Sequence, residues 1–178
     1  MNLATHNGLW LAYSLLGTIV FLVLVTLVRM GRLVLPRRAM WMIGLAAALH
    51  YIGGSLSGLH QVGGPNGLYY AFPWWDNLVH ALGSAAIAVA AAAGLLPLLP
   101  RNRKLAGLLA VGLANLVGVG VELYEFSQYV WFHTVDQGYY TNTLVDLYSN
   151  LIGACLGALL YIRGEPAPPP VPSATPDV

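Results

Sequence analysis

The chain has 178 residues, 57% of them hydrophobic and only 8% charged, with a mean hydropathy of +0.66. Soluble domains of this size carry about a quarter charged residues, so a water-soluble globule is excluded and the solvent is lipid. The net charge of +1 sits in short, separated basic clusters, which excludes a nucleic-acid-binding face.

Five apolar runs follow in chain order. The N-terminal MNLATHNG lacks the positive leader of a secretory signal. The run after it, residues 9–28, is long enough to read as a true span. The basic residues Arg29, Arg32, Arg37 and Arg38 follow. A second run covers residues 40–56 and ends in glycines, before a polar loop rich in Gly, Pro and Asn. The third covers 76–99 and is closed by Arg101, Arg103 and Lys104. The fourth covers 105–128; a second loop leads to the fifth, 144–162, capped by Arg163. The chain thus reads as an all-α transmembrane domain over residues 1–163. Residues 164–178, rich in proline, read as a disordered cytoplasmic tail.

All eight Lys and Arg follow span one, span three or span five. The positive-inside rule then places the N-terminus outside and the C-terminus in the cytoplasm, and only an odd span number reconciles the clusters. Trp10, Tyr69, Tyr70, Phe72, Trp74, Trp75, Tyr129, Trp131, Phe132, Tyr139 and Tyr140 would form the outer aromatic belt. No internal repeat stands out, which weighs against an inverted-repeat transporter in one chain. The single cysteine, Cys155, permits no internal disulfide and reads as a packing residue.

On this topology the remaining polar residues gather at one depth. Asp76 and His80 open span three as D-x-x-x-H, on one helical face. Glu122 and Glu125 lie near the outer end of span four, with Gln128 almost one turn on; Asp146 and Asn150 open span five as D-x-x-x-N. A rise of 1.5 Å per residue puts them within roughly the outer third of the membrane. Gly153 and Gly157 continue the Asp146 face, Gly83 and Ser84 the His80 face, and Asn115 and Gly118 the Glu122 face. Such small residues let helices approach closely. Four carboxylates with no outward lysine or arginine must be protonated or paired with a metal ion.

The stretches DNLVH at 76–80, ELYE at 122–125 and NTLVDLYSNLIGA at 142–154 resemble the signature of YjdF-like bacterial inner-membrane proteins. More distantly they resemble VanZ-like proteins, with Glu125 and Gln128 supplying the middle motif. The resemblance spans Trp75 to Gly157. VanZ-like proteins often carry an arginine between the second and third motifs; its absence here favours the YjdF-like family over an antibiotic-resistance role. The resemblance implies the bacterial cytoplasmic (inner) membrane and strengthens the polar site; it implies no reaction.

Each candidate has a bland reading as well. Asp76 with His80 is either a metal-ligating pair or an interhelical lock. Asp146 and Asn150 are either site groups or the N-terminal cap of span five. His50 reads as structural; His60, His133 and Asp136 read as solvated loop residues. The pair Glu122 and Glu125 is hard to justify structurally, because uncompensated acids at membrane depth cost a few kcal/mol each. Asp76, His80, Glu122, Glu125 and Asp146 are therefore the candidate ligands of a divalent metal, with Asn150 beside them. A carboxylate-rich set with one imidazole suits Zn, Mg, Mn or Fe. Three functions fit: a metal-dependent membrane hydrolase acting on a lipid or lipid-linked substrate, with Glu122 or Glu125 as general base; an ion- or proton-binding transporter subunit; or a non-catalytic scaffold. Membrane lipids and a second copy of the chain are the expected partners.

Overall fold

A computed structural model describes residues 15, 18, 19, 21–32, 35–55, 67–132 and 140–164, without the side chains of 54, 55, 70, 128 and 132. The opening of span one, the loop residues His60, His133, Asp136 and Tyr139, the side chain of Gln128 and the proline-rich tail beyond Gly164 lie outside the described residues. All regular structure among the described residues is helical. Residues 21–29 form α1; α2 is Arg37–Ser55, α3 Leu68–Ala71, α4 Trp74–Leu95, α5 Arg103–Phe132 and α6 Tyr140–Gly164. Three of these, α4, α5 and α6, are long and apolar enough to cross a membrane.

Local chemistry sets the helix ends. At the end of α1, Gly31 adopts φ 66°, Arg32 N–H donates to the Leu27 carbonyl and Gly31 N–H to that of Val28; this is a Schellman closure, which needs a residue free to turn left-handed. Pro73 precedes α4, where its missing N–H costs nothing. Asn102 accepts the Leu105 N–H at 3.1 Å through its side chain and caps α5. Span three was expected to reach Leu99, but α4 stops at Leu95 because Pro97 cannot continue it. The loop after span two contains the short helix α3. Both α5 and α6 begin earlier than hydropathy suggests, and α6 starts at Tyr140.

α4 packs against α2, α5 and α6. Equivalent contacts advance together along α4 and α6: His80 meets Asn150, Ala81 meets Gly153, and Ala85 meets Gly157. The two helices therefore run parallel, and α5 runs antiparallel between them in the chain. Gly153 and Gly157 lie one turn apart and face Ala81 and Ala85, also one turn apart. A Cβ at Gly157 would lie 2.5 Å from the Ala85 carbonyl oxygen, so this seam is close backbone-to-backbone packing. The core is mostly alanine, with Ala39, Ala88, Ala92, Ala110, Ala114 and Ala154 all fully buried. Large residues such as Leu108, Leu116, Leu123 and Leu160 face outward. Cys155 is exposed with them and is not a packing residue of the core.

Charge segregates along the bundle. At one end the Arg38 guanidinium lies 4.4 Å from the centre of the Tyr161 ring, and Arg103 donates to the Ile162 carbonyl, where a cation meets the negative end of α6. Glu122 lies nineteen residues beyond Arg103 on α5, roughly 28 Å along the axis at 1.5 Å per residue. There it meets His80 at the acidic end.

Candidate functional site

The acidic end is assembled from α4, α5 and α6. On α4, Asp76 and His80 stand one turn apart, with His80 Nε2 3.4 Å from Asp76 Oδ1. Asp146 of α6 comes in beside them, and ligand-type atoms of Asp76, His80 and Asp146 all lie within 4.8 Å of one another. The bundle thus brings together three of the five candidate ligands. Asp146 is 0% exposed and sits more than a turn inside α6, well past its first residue Tyr140. It therefore does not cap the helix; the long amino-terminal extension of α6 overturns that reading for Asp146 and for Asn150 alike.

Two asparagines hold the carboxylates. Asn142, one turn before Asp146, donates to Asp146 Oδ2 at 2.6 Å and reaches Asp76 Oδ2 at 3.5 Å. Asn77 donates to Asp146 Oδ1 at 3.2 Å. Each Asp146 oxygen thus has an amide donor and keeps lone-pair capacity for another partner. Both asparagines lie inside the motifs that stood out in the sequence. The spacing of Asn142 to Asp146 was a readable signal, whereas the Asn77 contact depends on the register of α4 against α6.

Glu122 lies on the opposite side of the imidazole. Its Oε1 is 3.8 Å from His80 Nδ1, and the residue is 5% exposed. Asn150, 2% exposed, places Oδ1 3.3 Å from the same nitrogen and accepts the Ser84 hydroxyl at 2.7 Å. Glu125 is half-buried and stands outside the Asp76–His80–Asp146 group. No lysine or arginine joins the cluster among the described residues, so its ionised form carries excess negative charge.

A second pair lies next to the site. His50 of α2 hydrogen-bonds through Nδ1 to the Tyr69 hydroxyl of α3 at 2.7 Å, which ties the short helix to the bundle. Burial pushes the Tyr69 phenol above its ordinary range, and the carboxylates of Asp76, Glu125 and Asp146 push it the same way. The Tyr69 ring and the Trp75 indole converge on Gly53, where a Cβ would lie 2.5 Å from each; only glycine leaves room there.

The geometry offers two carboxylates and one imidazole to a shared point, with a further buried carboxylate behind the imidazole. Neither a curated protein nor a solved structure matches the chain. Residues 1–165 match a family model described as "Predicted membrane protein (DUF2238)", which extends beyond the motif-bearing helices to the first two apolar runs. That match covers nearly the whole chain, which therefore belongs to the DUF2238 family of predicted membrane proteins.

Proposed function

We propose that the chain is a five-span protein of the bacterial cytoplasmic membrane, N-terminus out and C-terminus in, that binds a divalent cation at its outer face through Asp76, His80 and Asp146. The observation that carries this reading is the convergence of those three ligand atoms within 4.8 Å, in a cluster that no lysine or arginine joins among the described residues. Carboxylate and imidazole donors suit Zn, Mg, Mn or Fe. The topology is supported by the confinement of all Lys and Arg to the segments at the opposite end. In the enzymatic extension of this reading, Asp76, His80 and Asp146 would hold a cation that would supply Lewis-acid activation of water beside a lipid or lipid-linked substrate at the outer leaflet. Glu125 would be the general base of that reading, since Glu122 faces His80 Nδ1 on the far side of the ring.

One observation favours a scaffold instead: both Asp146 oxygens already accept amide hydrogen bonds. A conduction pathway through one protomer has less support, because Asn115 bonds back to the Val111 carbonyl of its own helix and the described core is mostly alanine.

Elemental analysis of the detergent-purified protein separates the first two readings. The expected result is one equivalent of divalent metal in the wild type, and none in His80→Ala. A metal-free wild type that cannot be reconstituted would leave the scaffold. Topology has its own check, in a Cys155→Ala background carrying single cysteines at Asn102 and Thr141. A membrane-impermeant thiol reagent is expected to label position 141 from outside intact cells, and position 102 only after permeabilisation; the reverse pattern would invert the proposed orientation.

A further inference from the structure

We infer that the basic end of the bundle docks anionic phospholipids. Headgroup phosphates rest on Arg37, Lys104 and Arg163, and acyl chains cover Trp41, Leu108 and Leu160 beneath them. The inference rests on the proposed bilayer placement of the helices and is independent of the metal site.

Three helices meet at this end: α2 and α5 begin there and α6 finishes there. Two guanidiniums fasten them together. That of Arg38 lies over the Tyr161 ring and beside Gly164, and Arg103 donates to the Ile162 carbonyl. Both α2 and α5 are thereby held against the last turn of α6, which gives the neighbouring cations a fixed frame. Arg37, Lys104 and Arg163 are those neighbours, and all three are exposed. Arg29, Arg32 and Arg101 add exposed charge at the same end. No acid lies there among the described residues, and in the sequence only Glu165 and Asp177 follow, in the tail. The surface is strongly positive.

Each of the three cations has a large apolar side chain one turn nearer the middle of the bundle. Arg37 is followed at i+4 by Trp41, 78% exposed, and Lys104 at i+4 by Leu108, 69% exposed. Arg163 is preceded at i−3 by Leu160, 68% exposed. Residues at these spacings share a helix face. Because α6 runs opposite to α2 and α5, the cation is the outermost member every time. A charged rim with apolar bulk beneath it thus recurs on three helices. An inorganic anion would use the rim alone. A phospholipid of net negative charge uses both levels, its phosphate accepting from guanidinium and ammonium groups while its chains cover the apolar residues. A zwitterionic headgroup brings its own cation and gains less. Juxtamembrane cations contribute to anionic-lipid binding roughly equally, about fivefold each.

The test uses the full-length protein in bilayer nanodiscs of equal phosphatidylglycerol and phosphatidylcholine with matched chains. The protein is released into detergent, and its retained lipids are counted by native mass spectrometry. The wild type is expected to retain phosphatidylglycerol preferentially. Arg37→Gln, Lys104→Gln and Arg163→Gln are each expected to lower that preference about fivefold, and Lys104→Arg to keep it. Each single change leaves seven other cations to hold the orientation, and a folding failure at one position leaves two variants for the comparison. Equal retention of the two lipids by the wild type would overturn the inference while leaving the membrane-spanning reading intact. An unchanged preference in the glutamine variants would overturn it too. Displacement of the retained lipid by inorganic phosphate would assign the surface to a soluble anion and likewise overturn it.

Discussion

Replacing Asp146 by Asn is expected to abolish metal binding while leaving the bundle folded. The substitution keeps the shape of a side chain that is 0% exposed and removes its charge. The affinity loss should exceed the roughly hundredfold upper range seen when outer partners of a metal ligand are removed, because the proposed site would lose a direct ligand. Stability supplies a second readout. Without metal, relief of the repulsion from Asp76 and Glu122 is set against the loss of one of the two amide hydrogen bonds that Asp146 accepts, so the variant should lie within about 1 kcal/mol of the wild type. With metal at a hundred times its dissociation constant, the wild type should gain about 2.7 kcal/mol and the variant nothing. Thermal unfolding with and without added metal measures both. Equal metal-induced stabilisation in the two proteins would remove Asp146 from the site.

The second large effect concerns the seam beneath the site. Gly153→Ala is expected to destabilise the protein by about 3 kcal/mol, the upper part of the usual overpacking range. The new methyl would collide with the backbone of Ala81, whose carbonyl oxygen, carbonyl carbon and Cα are its nearest neighbours. No rotamer change relieves such a clash; α4 and α6 must separate. Gly120→Ala is the matched control, since nothing lies within 4 Å of a Cβ there. That change should be neutral or stabilise by up to about 1 kcal/mol through helix propensity. Unfolding in increasing dodecyl sulfate, followed by circular dichroism, compares the two. Similar stabilities would mean that α4 and α6 do not meet as closely as described.

Much of this arrangement was legible in the sequence because helical periodicity is strict. Asp76 with His80, and Asp146 with Asn150, are four residues apart and so share a face wherever the helix begins. The Gly153–Gly157 spacing marked the close seam in the same way. Other features depended on three-dimensional register. Nothing along the chain says that Asn77 reaches Asp146, or that Ser84 reaches Asn150, until α4 and α6 are set parallel. Glu122 and Glu125 look equivalent in E-x-x-E, yet their directions around the helix differ by about 60°, and Glu122 is the one that meets His80. The polar run Tyr140–Thr143 resembles a loop by composition. Its helical state comes from packing and from Asn142 bridging the two aspartates, which hydropathy does not register.

The parallel course of α4 and α6 has an electrostatic consequence. Each helix concentrates about half a unit of positive charge at its N-terminus, and here two such ends lie side by side, a repulsive pairing if left alone. Asp76 falls in the first turn of α4, and Asp146 lies against it from α6. The two acids thus offset the macrodipole of α4, Asp76 from its own first turn and Asp146 from the neighbouring helix. Neutralising both aspartates at once should loosen the shared end of the pair more than the sum of the single substitutions.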